Sequence, residues 1–201
     1  KIFELAMPIL QKIGQPEIFY LLFSRQDNYG ETPLYNREIL ELALPFLEKL
    51  DPSDLEALLS LKADSGLTIL HTEEIFETIL PFLESQDLVV QAKLLSIKDD
   101  WNEIPLHNPE VFEIALPLLK ILPGELLDQL FSEQGNEGNT ILHDPEIFEL
   151  YQDQEAIYLQ DKLKPEIVQI RNNFGFSPNE WYRLKLSHDW LVKSKNTIDE
   201  K

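Results

Sequence analysis

Four histidines occur in the 201 residues, and three are evenly placed: His71, His107 and His143 follow one another at intervals of 36, with Tyr35 one interval earlier. Imidazoles in register invite a metal reading, because a neutral ring nitrogen is a common zinc ligand. The spacing argues against it. If the segments are helical and layered, successive layers lie about 8 to 10 Å apart, whereas two nitrogens sharing one zinc ion must approach within roughly 4 Å. The pattern predicts structural histidines whose rings bond to backbone and pin a turn, together with Thr68 or Thr140. His188 has Ser187 and Asp189 as neighbours, the residue types of a hydrolase triad. Adjacent residues of a helix point in different directions, so no triad is expected there.

Other candidate chemistry fails on similar grounds. The stretch "GNEGNT" at 135–140 lacks the lysine and the preceding strand of a phosphate loop and reads as a turn. "DNYGE" and "KDDWNE" lack the alternating ligands and terminal glutamate of a calcium loop. Without cysteine there is neither a disulfide framework nor a thiolate metal site. The sequence thus predicts no catalytic residue, no cofactor and no metal ion. The expectation is a protein that is not an enzyme.

The histidines belong to a larger regularity. The phrases "GETPLY", "GLTILH", "NEIPLH" and "GNTILH" begin at Gly30, Gly66, Asn102 and Gly138, and a degenerate "GFSPNE" begins at Gly175 after a one-residue insertion. Each of the first four leads into "EILELALP", "EIFETILP", "EVFEIALP" or "EIFELYQ", and the opening "KIFELAMP" is the same segment of an earlier repeat. Leu22-Phe23-Ser24, Leu58-Leu59-Ser60, Leu94-Leu95-Ser96 and Leu130-Phe131-Ser132 keep the same interval. A fixed period of this size marks a repeat architecture.

Each repeat reads as a turn and two helices. Asn36, Thr72, Asn108 and Asp144 are N-cap types, Pro109 and Pro145 suit the first helical position, and Glu38, Glu74, Glu110 and Glu146 complement the helix dipole. Apolar spacing such as Ile39, Leu42, Phe46 or Ile75, Ile79, Phe82 supplies a buried stripe. Pro8, Pro45, Pro81 and Pro117 fall inside the first helix, where loss of a backbone bond predicts a kink or a break into two pieces. A second helix, for example Pro52 to Leu61 capped by Asp51, returns the chain to the next turn. Helical pairs of this kind bury their apolar faces only against neighbouring repeats.

At the "G-x-T-P-L-H" phrase, clearest in residues 30–35 and 138–143, the sequence resembles the ankyrin-repeat family over 1 to about 182. The resemblance implies an all-α, ankyrin-like helical solenoid of about five two-helix repeats, with residues 1–174 as the array and 175–201 as a degenerate last repeat and C-terminal capping helix. The repeat here is longer than the family's, carries proline in its first helix and leaves little chain for the family's projecting finger. The resemblance also implies a protein-binding scaffold without chemistry of its own. Divergent members of this kind are common among effectors that intracellular bacterial pathogens deliver into host cells.

Charge narrows the partner. The net charge is −19, and residues 1–161 hold 9 Lys/Arg against 31 Asp/Glu, whereas 162–201 hold 8 against 5. So negative a field disfavours nucleic acid and anionic membranes. No run of 18 apolar residues and no secretory leader is seen, so the expected place is the cytoplasm, or a host cell's cytoplasm for an effector. The expected partner is another protein with a basic or amphipathic surface. Alternatives are an acidic nucleic-acid mimic that inhibits a basic protein, and a binding domain cut from a larger enzyme.

Candidate contact residues are those that vary between repeats. The slot just before each turn phrase holds Tyr29, Ser65, Trp101, Glu137 and Phe174. Tyr, Trp and Phe anchor interfaces, and a slot with no evident need for an aromatic holds three. Glu41, Glu77 and Glu113, each four residues ahead of a proline, form an acidic row. In the C-terminal segment, Trp181, Leu184, His188 and Leu191 lie at helical spacing and Trp181 closes the last repeat. Tyr182 and Trp190 fall beside that stripe and join the exposed candidates.

Overall fold

The computed structural model describes residues 8–9, 12, 15–153 and 156–187. Its α-helices are α1 (Pro16–Phe23), α2 (Arg37–Leu47), α3 (Pro52–Leu59), α4 (Glu73–Ser85), α5 (Leu88–Leu95), α6 (Pro109–Ile121), α7 (Gly124–Ser132), α8 (Pro145–Gln152) and α9 (Ile157–Lys162). Residues 178–187 are also helical. Short 3-10 turns at Pro33–Tyr35, Ile69–His71, Pro105–His107, Ile141–His143 and Ile167–Gln169 complete the elements. Among the described residues there is no strand, only one isolated bridge between Lys62 and Thr68, and the fold class is all-α.

Local chemistry starts these helices. Asn36 Oδ1 accepts from Ile39 N at 3.0 Å, Asn108 Oδ1 from Glu110 N at 2.9 Å, and Asp144 Oδ1 from Glu146 N at 2.9 Å. Asp51 Oδ1 accepts from Asp54 N at 2.8 Å. Each bond satisfies a donor that a helix start leaves unpaired, worth about 1 kcal/mol per cap. Thr72 departs from the expectation: its side chain caps nothing at the start of α4, where Glu73 and Glu74 supply the acidic first turn. The helix expected at Pro52 to Leu61 ends at Leu59, a difference at the fraying end.

The prolines do not break the first helices. α2, α4 and α6 each run as one element through Pro45, Pro81 and Pro117. These rings sit at exposed positions, and the carbonyls deprived of a donor belong to Glu41, Glu77 and Glu113, which are exposed as well. Water can serve those carbonyls, so the missing bond costs little in the folded chain.

Contacts divide the chain into two compact units, 1–118 and 119–201. In the first, like packs on like: α2 lies against α4, α1 against α3 and α3 against α5, and the turn Ile69–His71 touches Pro105–His107. Phe19, Leu40, Phe46, Leu70, Phe76, Ile79 and Phe112 are fully buried, and the Phe19 and Phe46 rings meet at 4.4 Å. Burying each such side chain contributes about 1.5–3 kcal/mol.

In the second unit α8 packs on α9, and α7 on the turns Ile141–His143 and Ile167–Gln169. Phe131, Leu142, Ile147 and Leu159 form its buried centre. Lys162 Nζ donates to the carbonyls of Lys120 (2.6 Å) and Leu122 (3.0 Å), which satisfies acceptors near a helix C-terminus. Asp128, nearly buried, accepts from Lys164 N at 2.9 Å and pairs with Lys164 Nζ at 3.0 Å. The Trp181 ring lies 5.7 Å from each of the Phe174 and Phe176 rings. Leu184, on the same stripe, is exposed. His188, Trp190 and Leu191 lie outside the described residues.

Candidate protein-binding cleft

Ahead of three of the five phrases a side chain sets the turn. Asp99 Oδ1 accepts from the N–H groups of Trp101 (2.8 Å) and Glu103 (2.9 Å). Asp27 does the same for Tyr29 and Glu31, and Asn172 for Phe174 and Phe176. Each carboxylate or amide mimics a backbone turn and lifts the aromatic slot to its tip. The signal was available, since these residues sit three positions ahead of the phrase. It is blurred by Ala63 and Gly135 at the same place.

Neighbouring tips are stitched through backbone. In the first unit Asp64 N donates to Tyr29 O at 2.8 Å and Asp100 N to Gly66 O at 3.1 Å; in the second, Asn173 N donates to Glu137 O at 2.9 Å. The phrase opens at positive φ, 74° at Gly138 and 60° at Asn102. Asparagine tolerates that region better than other residues with a side chain. A Cβ on Gly138 would lie 2.8 Å from Asn173 N, so the stitch itself demands glycine there.

The register histidines form a second set of stitches. His143 Nδ1 accepts from Thr140 N (3.0 Å) and Thr140 Oγ1 (2.9 Å), and its Nε2 donates to the Phe176 carbonyl at 2.9 Å. His71 bonds Thr68 Oγ1 at 2.8 Å and donates to the Glu103 carbonyl at 2.9 Å. A carbonyl only accepts, which places the proton on Nε2 and leaves Nδ1 as acceptor. Both rings are buried, and burial, which disfavours the cation, holds both pKa values below the ordinary imidazole value. His107 Nδ1 accepts from Ile104 N at 3.2 Å. The expected role in pinning the turn is the one observed.

Tyr35 takes the histidine's place in the first phrase, and its hydroxyl donates to the Leu67 carbonyl at 2.7 Å. Burial pushes its pKa up to about 12. A phenol has no counterpart of Nδ1, and the buried Thr32 hydroxyl is left without a hydrogen-bond partner. At the other end Glu180 stands in the histidine's position: its Oε2 accepts from Ser177 N and from Arg171 Nη1, each at 2.9 Å. These contacts hold its pKa below the usual carboxylate value, the Ser177 amide most strongly.

The slot aromatics have different surroundings. Tyr29 is 72% exposed and Trp101 50% exposed. Phe174 is 58% exposed, but its ring stacks on Trp181 with planes 10° apart. Tyr182, expected among the exposed residues, is half-buried: its hydroxyl donates to Glu149 at 2.8 Å and its ring lies 5.2 Å from Phe148. The covering ring belongs to a distant helix, which spacing along the terminal helix does not reveal. Glu41, Glu77 and Glu113 are exposed, and Arg37 contacts Glu41 at 3.2 Å.

Trp101 lines an open cleft of about 330 Å³ with Asp99, Glu103, Glu110, His71 and His107. Its floor is already committed: the Asp99 carboxylate holds the turn and the His71 ring is bonded on both sides. Of the lining residues, Trp101 and Glu110 are exposed and Glu103 is half-buried. Among the described residues no group of His, Asp and Glu could hold a metal ion, and no helix is long and apolar enough to cross a membrane. Compared with known proteins, the chain matches no protein-family model and no curated protein.

Proposed function

We propose that the chain is an ankyrin-like helical solenoid that binds another protein and performs no chemistry of its own. The observation that carries this reading is the half-exposed Trp101 indole, carried on a turn whose backbone Asp99 fixes and lining an acidic cleft. An indole has few rotatable bonds and offers the large area that anchors interfaces. The like-on-like packing of α2 with α4 and α3 with α5, and the backbone stitches between tips, support the solenoid. The polar groups of the cleft are largely consumed by the fold, which supports a binding role over catalysis.

The partner on this reading has a basic or amphipathic surface and meets the tips Tyr29 and Trp101, with Glu41, Glu77 and Glu113 adding charge. An effector acting in a host cell's cytoplasm fits it. The test is capture of partners from lysate by the native chain and by a Tyr29→Ala, Trp101→Ala double variant, at low and high salt. Selective loss of a partner by the variant supports the reading. Retention of every partner by the variant overturns it.

A further inference from the structure

We propose that the first turn of the chain, residues 27–36, is a docking seat for a turn of a partner protein that ends in histidine or tyrosine. The polar groups that later turns use to bind the turn before them are unused here. Asp64 N donates to Tyr29 O at 2.8 Å and Asp100 N to Gly66 O at 3.1 Å, but Asn28 N, the same position of the first turn, donates to nothing among the described residues. The Glu103 carbonyl accepts from Asp99 N and from the His71 ring, each at 2.9 Å, whereas among the described residues the Glu31 carbonyl accepts only from Asp27 N at 2.9 Å. Asn108 Nδ2 donates to the His71 carbonyl at 3.4 Å, and Asn36 Nδ2 to nothing among the described residues. Burial agrees: Asp99, which shares its cleft with Leu67 and His71 of the preceding turn, is buried, and Asp27, which holds its own turn by the same two bonds, is exposed.

The same residues line a cleft of about 490 Å³, with Arg25, Asp27, Glu31, Thr32, Tyr35 and Asn36 in its wall. Thr32 is 4% exposed and its hydroxyl has no hydrogen-bond partner, so the seat also holds a buried polar group with bonding capacity left. The occupant follows from what covers the equivalent groups elsewhere in the chain, where one turn brings backbone carbonyls to the two N–H positions and a ring donor to the carbonyl. A second copy of this chain has no such donor to offer from its described turns. Tyr35, His71 and His143 already donate to the carbonyls of Leu67, Glu103 and Phe176, His107 has partners of its own, and Glu180, in the last turn, accepts. The seat is therefore assigned to a different protein. It uses none of the Trp101 surface, so the two assignments stand or fall separately.

The experiment uses the full chain labelled with nitrogen-15 and follows the Asn28 backbone amide and the Asn36 side-chain amide. The probes are acetyl-Gly-Asn-Thr-Ile-Leu-His-amide, which repeats the chain's own phrase, and its analogue with alanine in the last place. The histidine peptide at millimolar concentration is expected to shift both signals saturably, and the alanine analogue to bind about tenfold more weakly. Asn36→Asp keeps the oxygen that caps α2 and removes the amide donor, and Thr32→Val removes the unpartnered hydroxyl; each is expected to weaken the peptide about threefold. A loss of affinity in either variant supports the seat. Unmoved signals, equal affinity for the alanine analogue, or full affinity in both variants overturns it. Shifts of the same two signals with chain concentration alone, without peptide, would show that a second copy takes the seat and would overturn its assignment to a different protein.

Discussion

His143 donates from Nε2 to the carbonyl oxygen of Phe176, 33 positions further along the chain, at 2.9 Å. The contact joins one turn phrase to the next and spends the whole ring, since Nδ1 is held by Thr140. His143→Ala leaves the buried Thr140 donors unpaired and removes one of the two bonds to the Phe176 carbonyl, which keeps the Asn172 amide at 3.0 Å, and is expected to cost about 1–3 kcal/mol. Denaturant unfolding measures it. A change below about 0.5 kcal/mol, the range of ordinary surface substitutions, would show that the stitch contributes little.

The threonines of the turn phrase should respond to valine in opposite senses. Thr140→Val removes a hydroxyl bonded to His143 and should destabilise by about 1 kcal/mol. Thr32→Val replaces a buried hydroxyl that has no partner with a methyl of similar size, and should be neutral or stabilising by up to about 1 kcal/mol. Thermal melts of the two variants in parallel decide the point.

Acid should loosen the chain through the same rings. His71 and His143 have folded pKa values below the ordinary imidazole value, chiefly through burial. At His71 the Glu103 carbonyl and Asp99 oppose that shift, whereas Lys62 adds to it. The unfolded chain therefore binds protons first as pH falls past about 6.5, the unperturbed value. Stability from these groups is complete above that pH and is lost as pH falls from there through the lowered folded values. Melting midpoints from pH 7.5 to 5 should drop, and the double variant His71→Gln, His143→Gln should show a shallower drop.

Two glycines at similar φ, 74° at Gly138 and 84° at Gly175, separate strain from contact. Alanine at either accepts a left-handed backbone, at about 1–2 kcal/mol. At Gly138 the new Cβ also meets Asn173 N at 2.8 Å, whereas at Gly175 it meets nothing within 4 Å. Gly138→Ala should be the more destabilising in urea titration by about 1 kcal/mol or more.

What the sequence disclosed follows the range of the forces involved. The caps at Asn36, Asn108 and Asp144 act within one turn, so residue type and position sufficed to foresee them. The structural role of His71 and His143 followed from the period, because the same residue recurring at the same place has the same neighbours. Continuity of α2 through Pro45 depends on which side of the helix faces water, and Tyr182 meets Glu149 and Phe148 across 33 or more positions; neither is written in local pattern. The cleft at Trp101 needs Leu67 and His71 of the preceding repeat to form one wall, and only the aromatic at its rim was visible in advance.

The tips at positions 29 and 137 hand their carbonyls to the following turn, and nothing in that exchange consults the side chain. Tyrosine, serine, tryptophan, glutamate and phenylalanine occupy the slot in turn along this one chain. The slot is thus an interchangeable fitting: residue 65 or 137 can be rewritten while the framework beneath stays as it is, which is the freedom the proposed binding surface requires.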